Sequence, residues 1–81
     1  MALSFEERCH QWAQRRRAVG RAKRKALYDL GTIATIRERD HNIVGENMLR
    51  DAVTNWGLVL RAEFSLYLER RELKWERNEN R

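Results

Sequence analysis

The chain has 81 residues, with 17 Lys and Arg against 12 Asp and Glu, 42% hydrophobic residues and no proline. That makes it one domain, near the lower size at which a single apolar core suffices. One cysteine excludes an internal disulfide, and the lack of a long apolar run or an export signal predicts a cytoplasmic protein with no membrane span.

The surplus charge is placed unevenly. Residues 1–31 hold eight Lys and Arg against three Asp and Glu, whereas residues 32–81 hold nine of each. A concentrated positive surface raises the local concentration of acidic partners and speeds their capture.

Ser4-Phe5-Glu6-Glu7 has capping-box spacing, so a first helix is expected to start there. Phe5, Cys9, Trp12, Val19, Ala26 and Leu30 follow at helical steps, interrupted by Arg16 and Lys23, and give this helix one apolar side. Gly31 is the expected stop. Thr32 to Arg39 then reads as a continuation after a kink or as a short middle helix, with Thr35 and Glu38 again at capping spacing. Asp40 to Gly45 reads as a turn, because Asp, Asn and Gly tolerate turn geometry.

From Glu46 to about Arg77 the pattern is helical again. Leu49, Val53, Trp56, Leu60, Phe64 and Tyr67 make one stripe, and Ala52, Val59, Leu66 and Leu73 make a second at every seventh residue. The two together are wider than one packed neighbour would cover. Gly57 inside this helix costs about 1 kcal/mol against alanine, which burial around it offsets if its missing side chain lets another backbone approach closely. The expected fold is all-α, a small helical hairpin or bundle of two long helices and a short middle one. Residues 1–75 form its single domain and residues 76–81 a fraying polar tail.

Chemistry finds little support in these residues. Cys9 and His10 are adjacent and point about 100° apart on a helix, and His41 is remote, so no metal site or cofactor is expected. Ser4 reads as a cap, Ser65 has no nearby histidine, and Gly20, Gly31, Gly45 and Gly57 stand singly rather than in a phosphate-cradling loop. The expected protein is not an enzyme.

Binding is the better reading. Arg15, Arg16, Arg17, Arg21, Arg24 and Lys25 are the candidate electrostatic contacts. They are spread around the helix, with few side chains of the kind that read base edges, which favours a protein partner over nucleic acid. Val59, Leu66, Leu73 and Trp75 are the candidate apolar contacts, and a homodimer is a third use for the broad stripe. Trp12 and Trp56 fall at core positions.

Thr32-Ile33-Ala34-Thr35, then Glu46-Asn47-Met48-Leu49-Arg50-Asp51-Ala52-Val53, Trp56 and Leu58-Val59-Leu60-Arg61 resemble the Kil peptides, small cell-division inhibitors of lambdoid phages and prophages. The similarity spans roughly residues 32–61. It implies a host-directed inhibitor that interferes with assembly of FtsZ, the tubulin-like division protein. It assigns no catalytic or ligand residues. The alternative is a small basic nucleic-acid-binding regulator of phage or prophage origin.

Overall fold

The computed structural model describes residues 2–40 and 45–79. Two long helices run antiparallel, α1 over Phe5–Arg39 and α2 over Glu46–Glu79, and no strand occurs among the described residues. The result is a rod of 60 × 19 × 17 Å, with a radius of gyration of 18.0 Å against about 12 Å for a compact chain of this length.

Local chemistry sets where α1 begins. The Ser4 hydroxyl accepts the amide of Glu7 at 3.2 Å, Glu6 and Glu7 lie in the first turn, and Arg37 and Arg39 in the last, each sign matching the helix dipole. The reciprocal bond of a capping box, from the Glu7 side chain back to Ser4, does not form. Ser4→Ala should therefore remove one cap and lower unfolding stability by about 1 kcal/mol, measured by urea titration followed by circular dichroism.

The expected stop at Gly31 and the separate middle helix are corrected. α1 passes through Gly31 and ends at Arg39, with Asp40 extended and its amide donating to the Ile36 carbonyl at 2.8 Å. Gly31 is not in the left-handed conformation that ends helices. Thr35 caps nothing, because its hydroxyl donates to the Gly31 carbonyl at 2.7 Å, a bond made within a continuous helix. Without proline, a single glycine weakens a helix but does not stop it. Of the expected turn, residues 41–44 lie outside those described.

At the other end, the tail expected to fray from Glu76 is helical to Glu79, and Glu76 is tied to Arg8 of α1.

Each helix turns one line of residues toward the other. In α1 the line is Phe5, Trp12, Val19, Ala26 and Ile33, and in α2 it is Ala52, Val59, Leu66 and Leu73, all buried or half-buried. Both lines repeat every seventh residue, the interval that keeps a side chain on the seam of two helices. Among the described residues only Ala26, Leu66 and Leu73 are buried. The Trp12 indole Nε1 donates to the Leu66 carbonyl at 2.8 Å, fixing a large ring across the seam. Two rungs on one edge, Arg8 to Glu76 and Arg15 to Glu69, hold the register, while Lys23 pairs with Glu63 at 2.8 Å on the other. Each is open to water on one side and contributes modestly to stability.

Candidate functional site

Packing α1 on α2 sorts the basic residues into two groups. Arg15 pairs with Glu69, Lys23 pairs with Glu63, and the Arg16 guanidinium lies 5.6 Å from the centre of the Trp12 ring. Arg70 approaches the same ring at 5.8 Å, so Trp12 sits between two cations that shield it from water. These side chains serve the hairpin itself. At Arg8, the hydrogen bond to Glu76 raises the guanidinium further above its already high ordinary pKa, so the charge is present at every accessible pH.

Arg17, Arg21, Arg24 and Lys25 form the second group. At about 100° per residue they fall within about 100° of arc, on the side of α1 turned away from α2. All four are exposed, and none has an ion-pair partner among the described residues. The basic residues go round the helix, as their spacing in sequence suggested, but folding divides them: those near the seam are engaged, and those left over share one face. A shallow groove runs along its border, lined by Trp12, Ala13, Arg16, Arg17, Gly20, Arg21 and Arg24.

The apolar contacts need a larger correction. Leu66 is only 7% exposed and Leu73 is equally sealed, and Val59 is half-buried on the same line. That seventh-residue stripe is consumed by α1. Trp75, 66% exposed, is the one candidate of the four that remains open.

The surface left free belongs to the other stripe. Val53, Leu60, Phe64 and Tyr67 are all exposed, with the Phe64 and Tyr67 rings stacked at 6.3 Å between centroids. Trp56 stays half-buried at its inner border. Leu27 of α1 joins this face. Gly20 and Tyr67 line one groove between the helices, and Leu27 and Leu60 lie seven residues onward and seven back, so antiparallel travel brings them level. One edge of the rod therefore carries the Arg8 and Arg15 rungs, and the opposite edge carries the open apolar stripe, crossed by the paired Lys23 and Glu63 and bordered by Arg16 and Arg70 over Trp12.

Cys9 is half-buried, and the His10 ring meets only Gln14, at 3.2 Å. No group of three His, Cys, Asp or Glu side chains able to hold a metal ion occurs among the described residues.

Comparison of the chain with protein families, curated proteins and solved structures returned no match.

What the arrangement offers is a stiff scaffold with two distinct open faces, one cationic and one apolar. No described helix is long and apolar enough to cross a membrane.

Proposed function

We propose that the hairpin is a non-enzymatic binding protein that captures an acidic partner through the outer face of α1. The observation that carries this reading is the set of four cations without an ion-pair partner among the described residues, Arg17, Arg21, Arg24 and Lys25, gathered on the side facing solvent. Charges held on a stiff helix keep their spacing in the free protein, so they steer an encounter without first having to be ordered.

The specific form of the proposal is a host-directed inhibitor acting in the bacterial cytoplasm, with FtsZ as the target and blocked cell division as the outcome. Its support is the Kil-like run over residues 32–61. Within that run, Val53, Trp56 and Leu60 lie on the open apolar edge. Expression in a rod-shaped bacterium is expected to yield long, undivided filaments. Normal division at confirmed soluble expression would overturn this form.

A second reading gains from the same geometry. Cations confined to one face can follow a phosphate backbone, as cations distributed all round a helix cannot. Capture from a lysate treated with nuclease separates the two: a protein partner persists, whereas a nucleic-acid partner is lost.

A further inference from the structure

We infer that a second copy of this chain covers the apolar edge formed by Leu27, Val53, Trp56, Leu60, Phe64 and Tyr67, making a dimer of hairpins with four helices around a shared core.

Area is the first support. The hairpin exposes 6925 Å², whereas a compact monomer of 9.8 kDa exposes about 5,200 Å². The excess, roughly 1,700 Å², exceeds the 800 Å² or so that each partner of a standard interface covers. A lone pair of helices has no third element to take up that surface, and a dimer supplies two.

Pattern is the second. Val53, Gly57, Leu60, Phe64 and Tyr67 follow one another at steps of four, three, four and three, the spacing of a seam between helices. α2 thus carries two seams, and the one through Leu66 and Leu73 is already occupied by α1. A helix with two such seams is the geometry of a bundle rather than of an isolated hairpin.

Gly57 is the third. A Cβ built there would meet nothing within 4 Å, so its missing side chain serves no contact inside the hairpin. It lies between Val53 and Leu60 on the free seam, where a second backbone can come close. The polar rung that crosses this edge, Lys23 with Glu63, is already paired, and the two cations that line the groove beside Tyr67, Arg16 and Arg70, lie over the Trp12 ring at one end of the patch.

Sedimentation equilibrium over a wide dilution series tests the proposal, with expected masses approaching twice 9.8 kDa at high concentration and a thermal midpoint that rises with concentration. Each copy carries a net charge of +5, so added salt should strengthen the dimer, the opposite of its effect on capture of an acidic partner. The Leu60→Glu/Phe64→Glu variant should run as a monomer with helix content retained, because both side chains are exposed in the single hairpin. Gly57→Ala should weaken association while leaving the monomer at least as helical, and it keeps the test valid should the double variant fail to fold. A wild-type mass of 9.8 kDa throughout would overturn the inference. So would a dimer indifferent to both variants, or a monomer whose apolar edge binds phospholipid vesicles instead.

Discussion

Leu66→Ala is expected to lower the free energy of unfolding by about 2–5 kcal/mol, read from urea titration by circular dichroism. The reason is how little else is buried. Leu66, Leu73 and Ala26 are the buried apolar residues of the described chain, and alanine at 66 would leave a void beside the Trp12 ring that bonds the same residue's carbonyl. Small domains hold only about 5–15 kcal/mol in all, so the loss would remove a large share of the stability. Leu58→Ala, at an exposed position of the same helix, is expected to change stability by less than about 0.5 kcal/mol. Equal effects at the two positions would mean that the seam does not run through Leu66.

Replacing Arg17, Arg21, Arg24 and Lys25 together with Gln is expected to leave the helix signal and unfolding midpoint nearly unchanged while removing the steering charge. Against an acidic protein, the association rate at low salt should fall by on the order of 10- to 1,000-fold, with dissociation little altered. Against a nucleic acid, the slope of log affinity on log salt should shrink by about one unit for each cation removed that contacts a phosphate. Arg15 and Arg16 are left out of the set because Glu69 and Trp12 already engage them, so their loss would mix stability with binding. An unchanged rate in stopped-flow measurements would show that recognition lies elsewhere on the rod.

Two long helices were legible from the spacing of apolar residues, and the start of α1 from Ser4 and the acids that follow it. The break expected at Gly31 was not there to be found. A glycine reads as a stop only if the backbone turns left-handed at it, and that choice depends on whether the residues beyond have a seam to pack on. Here Ile33 does, against α2, so the helix continues.

Both stripes of α2 were visible as well, but nothing local says which of them α1 will cover. The choice rests on the partner helix: Ala26 lets the backbones approach, and Trp12 reaches the Leu66 carbonyl only when the line through Leu66 and Leu73 faces inward. The candidate contacts at Leu66 and Leu73 therefore turned out to be interior, and Phe64 and Leu60 took their place outside. The interhelical pairing of Arg8, Arg15 and Lys23 was hidden for the same reason. Their partners are 68, 54 and 40 residues away, at separations that only the register of the folded hairpin brings together.

Because α1 and α2 run in opposite directions, with Arg8 meeting Glu76 near their far ends, tension on the two ends of the chain acts across the seam rather than along it. Such a pull parts the layers singly, first around Phe5 and Leu73 and last around Ile33 and Ala52, instead of shearing all of them at once. The rod should resist shear along its length far better than peeling, and anything that tugs the outer ends of α1 and α2 apart would open it like a clasp.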